Sequence, residues 1–489
     1  MDTMVMKTAE HAVRRERLSV MEKVGYSLGD LAANLVFQTL ITYLAYFYTD
    51  IYGLSAHHTS AILLTVGLVA GLGFNPLVGA LADRTVSRWG KFRPWILWTA
   101  VPLGATAMLA FSTPDFPYSG KVIYAVITYT LLLLLYAANN LPYSALSGVL
   151  TGDMKERNSL SAYRFVAVMF AQFFVQVFML PIIVTAGGGD KAAGIEQVMT
   201  WLAIIGTVML LVTFFTTRER IVPKPEQQST LKEDLADLSG NRPWMIMLLL
   251  TTLVFVALAM KGGAYVYYFE NYVDEERLTS FVSPVLNGFA ALGVNFFGED
   301  PVSAGFGLFN AGGIIFMIIG ITLSKPLADK YGKRNVFGTA LFISTLFILA
   351  FYFFSSTSVQ LMFASQILHG FSYGVTIPLL WAMIADVADY SEWKNNRRAT
   401  AIIFSAMMVG LKIGLTLGGA LLTWILGLFG YVPGSDAVQL ATAIQGTRLL
   451  VSVFPAIPFL IGSGLLFFYG INKNMETQIE TDLKQRRSS

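Results

Sequence analysis

Cysteine is missing from all 489 residues, which excludes disulfides, thiolate nucleophiles and Cys-bound metals. Histidine is nearly missing: His11, His57, His58 and His369 are the whole set, and no two of them have an HExxH spacing. With His57 and His58 at the very start of one long apolar segment and only His369 well inside another, no Ser-His-Asp arrangement can be argued, and an enzyme is not expected. Charge is scarce as well. Charged residues make up 13% of the chain, against about 25% in soluble domains. The net charge of +3 is no nucleic-acid signal, because the basic residues sit in short loops. Residues 1–23 lack a small-residue cleavage site after a short apolar core, so they read as a polar tail and not a cleaved signal peptide.

What is present is apolar length. The chain is 55% hydrophobic, with a mean hydropathy of +0.59. Twelve runs near 25–51, 56–82, 94–112, 121–150, 159–184, 197–217, 243–269, 303–325, 336–355, 360–388, 399–427 and 447–471 are long enough to cross a bilayer. Each is expected to be helical, since lipid offers no partner for an unbonded backbone group and the runs are too long for barrel strands. Lys and Arg set the orientation. The loops after spans two, four, six, eight and ten hold groups such as Arg84, Arg88, Lys91 and Arg93, or Lys330, Lys333 and Arg334. Lys191 and Arg277 are the clear basic residues on the other side, so both termini are expected in the cytoplasm.

The chain also repeats itself. Gly79-Ala80-Leu81-Ala82-Asp83-Arg84, followed by Gly90-Lys91, returns as Lys325-Pro326-Leu327-Ala328-Asp329-Lys330-Tyr331-Gly332-Lys333-Arg334. The two Asp lie 246 positions apart, which points to a duplicated half and to a secondary transporter. Asp83, Arg84, Arg88, Asp329, Arg334, Asp386 and Asp389 are candidates for a conformational latch. The other reading of these loop charges is topology alone. The division expected is a tail (1–24), a six-helix bundle (25–217), a linker (218–242), a second bundle (243–472) and a C-terminal tail (473–489). Within the linker, Thr230-x-x-Glu233 reads as a capping box for a short helix with Leu231, Leu235 and Leu238 on one face. Residues 271–302 form a long acidic connection placed to cover part of the outer mouth.

Several motifs in order carry a more specific resemblance. Tyr48-Thr49-Asp50 closes span one, and Ser87-Arg88-Trp89-Gly90-Lys91-Phe92-Arg93-Pro94-Trp95 fills the next basic loop. Asn140-Leu141-Pro142-Tyr143 lies in span four and Ala162-Tyr163-Arg164-Phe165 in span five. Asp386-Val387-Ala388-Asp389-Tyr390-Ser391-Glu392 follows span ten, and Lys412 lies in span eleven. From about Lys23 to about Asn472 the chain resembles the glycoside–pentoside–hexuronide:cation symporters, the melibiose permease branch of the major facilitator superfamily. That resemblance implies an all-α membrane protein with the major facilitator fold, twelve transmembrane helices in two pseudo-symmetric six-helix bundles, and a substrate site where the bundles meet.

The resemblance also assigns residues. The family's cation site uses the helix-two pattern Asp-x-x-x-Asp-Pro, and here the matching stretch is Gly71-Leu72-Gly73-Phe74-Asn75-Pro76. Both carboxylates are gone. Asn34 stands for the sugar-binding Asp of helix one, Asn140 for that of helix four, and Ser144 for the stacking Trp. Arg164 and Lys412 are retained. An Asn supplies only a dipole and cannot titrate, so the inherited cation site is expected to be weak or absent. Asp30, Asn75 and His369 are the remaining coupling candidates for a co-transported Na+ or H+; no other cofactor or metal is expected. Imidazole titrates at about 6.5, which suits proton exchange, while the plainer reading of His369 is a satisfied core histidine, and that of Asp30 a partner for a loop Arg.

Sugar sites combine aromatic faces with hydrogen-bonding groups. Asn34, Tyr136, Asn140, Tyr143, Arg164, Tyr268, Tyr373, Trp381 and Lys412 are the substrate-binding candidates, with Tyr265 beside Tyr268. Asn139 and Asn140 diverge by about 100° on a helix and cannot both face one cavity. Lys261, Arg164 and Lys412 are cations at bilayer depth, where each needs a cavity or a partner. Lys261 has snorkelling to the surface as its alternative. The expected function is uptake of a glycoside, oligosaccharide or sugar acid across a bacterial cytoplasmic (inner) membrane by cation symport, with the protein working as a monomer. The alternatives are an uncoupled sugar facilitator or a lipid or lysolipid transporter. A non-transporting sensor would need a signalling domain, and the sequence has none.

Overall fold

Without water to bond them, the amides of a long apolar run must close their hydrogen bonds within the run. The computed structural model describes residues 17–151, 153–221, 240–293, 297–298, 300–395, 400–434 and 437–488, and these build helices with no strand among them. Spans one to seven are α1 (Val20–Ile51), α2 (Ala56–Arg84), α3 (Arg93–Ala110), α4 (Tyr118–Leu150), α5 (Lys155–Ala186), α6 (Lys191–Thr216) and α7 (Arg242–Asn271). An extra helix, α8 (Glu275–Ala291), precedes spans eight to twelve: α9 (Pro301–Tyr331), α10 (Lys333–Phe353), α11 (Val359–Asn395), α12 (Thr400–Leu428) and α13 (Ala441–Phe468). The tail forms α14 (Lys473–Ser488). Among the described residues, 11 helices are long and apolar enough to cross a membrane. The 18-residue α3 holds the third place and completes twelve.

Asx residues start many of these helices. Asp153, Asp190, Asn241, Asp274 and Asp300 each accept a hydrogen bond from a backbone N–H of the first turn, which satisfies donors that have no partner inside the helix. Two helices carry instructive breaks. α1 ends in a wide π turn, Phe47–Ile51, and α2 holds another, Ala70–Phe74. The second ends directly before Asn75-Pro76, where the Pro ring removes one donor and crowds the preceding turn.

The contacts divide the described residues into two compact units. The first draws on the described residues of 1–40 and 65–226, the second on those of 41–64 and 227–489. The C-terminal third of α1 and the start of α2 thus belong with the second unit. In the first unit, α3 packs on α4 and α6, and Val78, Ala137 and Ala138 join α2 to α4. In the second, α7 lies along α12, and α9 along α11. Its core runs from Met247 and Leu250 through Leu341, Met383 and Phe459 to Ile479 and Leu483 of the tail helix.

The repeated turn has a structural counterpart in each unit. Gly90, between α2 and α3, has φ +110°, and Gly332, between α9 and α10, has φ +85°. Both positions use backbone conformations that side chains resist. The long acidic connection is not a loop throughout. Asp274 caps α8, Glu275 and Glu276 fill its first turn, and Leu278 and Val282 bury one face. That face sits on α9, where a Cβ on Gly305 would come within 2.8 Å of Leu278. The linker motif around Thr230 and Glu233 lies outside the described residues.

Candidate substrate site

In the first unit, three helices bring the polar candidates together. Tyr26, Asp30 and Asn34 follow one another at four-residue steps on α1, so they share a face. Arg164 of α5 meets Asp30, Nε to Oδ2 at 2.7 Å, and its guanidinium lies 5.6 Å from the Tyr26 ring and 5.7 Å from the Tyr143 ring. Asp30 therefore pairs with a membrane-depth Arg, not with one from a loop. Its other oxygen accepts from Asn34 Nδ2 at 3.2 Å, which ties up the residue at the sugar-binding position of helix one.

Tyr143 and Tyr26 clamp α4 to α1. Their rings stack at 4.5 Å, Tyr26 OH donates to the Tyr143 carbonyl at 2.8 Å, and Tyr143 OH donates to the Tyr26 carbonyl at 2.7 Å. A Cβ on Gly29 would lie 2.6 Å from the Tyr143 ring, so the α1 backbone approaches as closely as a glycine allows. Tyr143, fully buried with its hydroxyl engaged, is a scaffold for the site. Tyr136 stacks on Phe37 at 6.3 Å. Asn139 turns away and donates to Thr99 Oγ1 of α3 at 2.8 Å, as the helical angle requires. Asn140 is half-buried and makes no side-chain hydrogen bond among the described residues. Asn75 Nδ2 donates to the Gly71 carbonyl at 3.2 Å inside the π turn of α2.

In the second unit, Lys412 of α12 is half-buried with no ion pair or hydrogen bond among the described residues. Tyr373 is sandwiched between His369 and Phe459, each at 6.0 Å, and Trp381 is exposed. His369 Nδ1 bonds Ser344 Oγ at 2.8 Å. Tyr268 is fully buried in an aromatic cluster with Tyr272 and Phe351, and its hydroxyl has no partner among the described residues. That packing position does not offer it to a ligand. Tyr265 OH donates to Gln366 Oε1 at 3.0 Å. Lys261 does not snorkel: it is 7% exposed, and its ammonium lies 5.1 Å from the Tyr265 ring centre.

The latch candidates have partners different from the ones their sequence neighbours suggest. Asp83 pairs with Lys91 at 2.8 Å, Arg84 is exposed, and Arg88 lies over Trp89 at 4.4 Å. Asp386 pairs with Lys333 at 2.5 Å, Arg334 donates to the Tyr469 carbonyl at 3.2 Å, and Lys473 donates to the Asp329 carbonyl at 2.7 Å. Asp329, Asp386 and Asp389 line a cavity of about 520 Å³ roofed by α14.

Sequence reasoning missed two arrangements. Glu219, just past α6, accepts from the backbone N–H groups of Lys91, Phe92 and Arg93 at 2.8, 2.7 and 2.9 Å, and so caps α3 from a distance. In the second unit, Tyr431 OH donates to Asp50 Oδ1 at 2.7 Å, Thr49 Oγ1 to Asp50 Oδ2 at 2.5 Å, and Tyr46 OH to Glu270 Oε1 at 2.7 Å. Thr49 Oγ1 and Tyr267 OH lie 2.7 Å apart. The signal was two carboxylates, Asp50 and Glu270, inside apolar runs.

The first unit thus holds an Arg–Asp pair, an unengaged Asn and stacked aromatic rings among apolar helices. The MFS/sugar transport protein family profile matches residues 25–299 and 295–473. The chain belongs to the glycoside–pentoside–hexuronide:cation symporter family. It is 36% identical over 452 residues to the inner membrane symporter YicJ of Escherichia coli (strain K12), covering 92% of each chain. It is 33% identical to the putative glycoside/cation symporter YagG of the same strain, covering 96% of this chain and 95% of the other. Among solved structures, a bacterial homologue of the human lysosomal transporter Spinster, inward-facing, matches at a TM-score of 0.64 with 15% identity, covering 92% of this chain and 97% of that one. This symporter-family member is a multi-pass membrane transporter, and no enzymatic role is needed to account for its polar residues.

Proposed function

We propose that this family member imports a glycoside, oligosaccharide or sugar acid across the bacterial cytoplasmic membrane by alternating access, with both termini in the cytoplasm. The observation that carries the reading is Asn140, half-buried and unengaged, on the same helix as Tyr136 and as Tyr143, whose ring lies 5.7 Å from the Arg164 guanidinium. An amide beside a guanidinium and aromatic rings offers donors and an acceptor to sugar hydroxyls, and an apolar face to the ring carbons. A lipid would gain nothing from that polarity. Sodium is not the ion this chain is built to carry, because Gly71 and Asn75 leave the helix-two position without formal charge. The test is purified protein in proteoliposomes, assayed with labelled glycosides, xylosides and glucuronides under sodium and proton gradients imposed separately. Accumulation of at least one sugar is expected. If none moves under any gradient, the reading fails.

A further inference from the structure

The helix-two carboxylates are gone and Asp30 is held by Arg164, so any coupling to protons needs another group that is buried, titratable and unpaired. Lys261 meets that description. It lies on α7 before Gly262-Gly263, where the backbone is closely covered: a Cβ on Gly263 would sit 2.6 Å from Leu422 of α12. The side chain is 7% exposed. Among the described residues its ammonium has no ion pair and no hydrogen bond, only the Tyr265 ring at 5.1 Å.

The groups around it are cationic or neutral. On α11, His369 is within electrostatic reach, with Nδ1 already on Ser344, and Tyr373 stacks beyond it. The charged residue of α12 is Lys412, and the charged residue of α13 is Arg448. Asp329 of α9 and Asp386 and Asp389 of α11 lie with Lys333 around the cavity under α14. Glu270, further along α7, is held by Tyr46, and Asp50 of α1 by Tyr431. Among the described residues no carboxylate pairs with Lys261.

Burying an ammonium is costly, and an aromatic face 5.1 Å away offsets only part of that cost. The amine that remains after losing a proton costs far less. An oxyanion ligand would answer the charge, but it needs room for several heavy atoms at Nζ, and a side chain this covered has none. A proton needs no room.

We propose that Lys261 is the group that binds and releases the co-transported proton, taking the place of the missing helix-two carboxylates. The inference rests on the transport reading above. A proton from outer water adds to the Nζ lone pair to give the ammonium. When the site opens inward that proton passes to water, leaving the neutral amine that resets the carrier. No other bond changes, and the proton gradient supplies the direction.

Two measurements test this. In lipid nanodiscs near neutral pH, lysines labelled with carbon-13 at Cε should show one neutral-amine resonance, lost in Lys261→Gln. If every lysine is an ammonium, the proposal is overturned, whether or not any sugar is transported. In proteoliposomes, Lys261→Gln and Lys261→Arg should lose proton-driven accumulation of the glycoside while keeping sugar exchange, since a guanidinium does not release its proton. Undiminished accumulation by Lys261→Arg would also overturn it. If no wild-type glycoside transport is seen at all, the transport reading falls, and the resonance still decides the state of Lys261.

Discussion

Asp30 Oδ2 and Arg164 Nε meet at 2.7 Å, and this pair ties α1 to α5 within the first unit. The carboxylate is the more buried partner, at 8% exposure against 28% for the guanidinium. Removing Arg164 therefore strands a charge that water cannot reach, at a cost of about 3–5 kcal/mol. Arg164→Ala is expected to lower the melting temperature in detergent and abolish transport. Asp30→Asn with Arg164→Gln should regain most of the melting temperature and none of the transport. A double variant that melts as low as Arg164→Ala would show that the pair is not what holds these helices.

The Asp50–Tyr431 bond gives a second expectation. A hydrogen bond to a carboxylate contributes about 1.5–3 kcal/mol. Tyr431→Phe removes it and leaves Asp50 with Thr49. Because the chain has no cysteine, a single Asn271→Cys reports on the C-terminal end of α7 without background. Asn271 itself donates to Tyr431 OH at 3.4 Å. Maleimide labelling of that cysteine should accelerate about tenfold when Tyr431→Phe is added, the factor that 1.4 kcal/mol supplies. An unchanged rate would mean the network does not restrain this end.

The tail helix supplies a pH dependence. Burial pushes the Glu476 carboxyl up, the Lys333 ammonium pulls it down by a lesser amount, and the Asp386 charge adds to the rise. A carboxyl raised in the docked tail binds its proton more tightly there than in a free tail, so docking takes up a proton. Its contribution is complete below the ordinary Glu range and is lost as pH rises through the raised value. Glu480 is fully exposed and pairs with Lys484 within α14 itself, so its depression does not depend on docking. A spin label at Thr481→Cys should become more mobile as pH is raised from below the ordinary Glu range through the raised value, and Glu476→Gln should flatten that change. Mobility rising on acidification instead would show that the Lys333 pair dominates.

The spans were legible because lipid imposes one demand on every apolar run, and hydropathy records it directly. The turns at Gly90 and Gly332 were legible because the repeat marks them twice. α8 was not: Leu278 and Val282 give it a narrow apolar face, and its acidic start reads as a loop. The partners were hidden for a different reason. Arg164 lies 134 positions from Asp30, and Glu219 lies 128 positions from Lys91. Spacing within a helix says which side chains share a face, not which distant helix will meet them. Lys261 shows the same limit: its charge was visible, but the packing that leaves it 7% exposed was not.

The helix-two stretch has room for a pair of carboxylates. A Cβ on Gly71 would meet nothing within 4 Å, so an aspartate enters there without displacing a neighbour. Asn75 already sits one turn away, its Nδ2 on the Gly71 carbonyl at 3.2 Å. Gly71→Asp with Asn75→Asp therefore places two carboxylates at helical neighbours beside the π turn, whose loosened carbonyls add oxygen ligands of the kind sodium takes. Two like charges at this spacing repel, and a bound cation relieves the repulsion, so the variant should be less stable than the parent until the ion is added. A ligand that binds only the folded state stabilises it in proportion to the logarithm of its concentration. Sodium should raise the melting temperature of the double variant in steps with concentration, potassium or choline should not, and the parent should respond to none of them. A double variant indifferent to sodium would mean that the remaining ligands of the site, and not only its two carboxylates, have been lost from this chain.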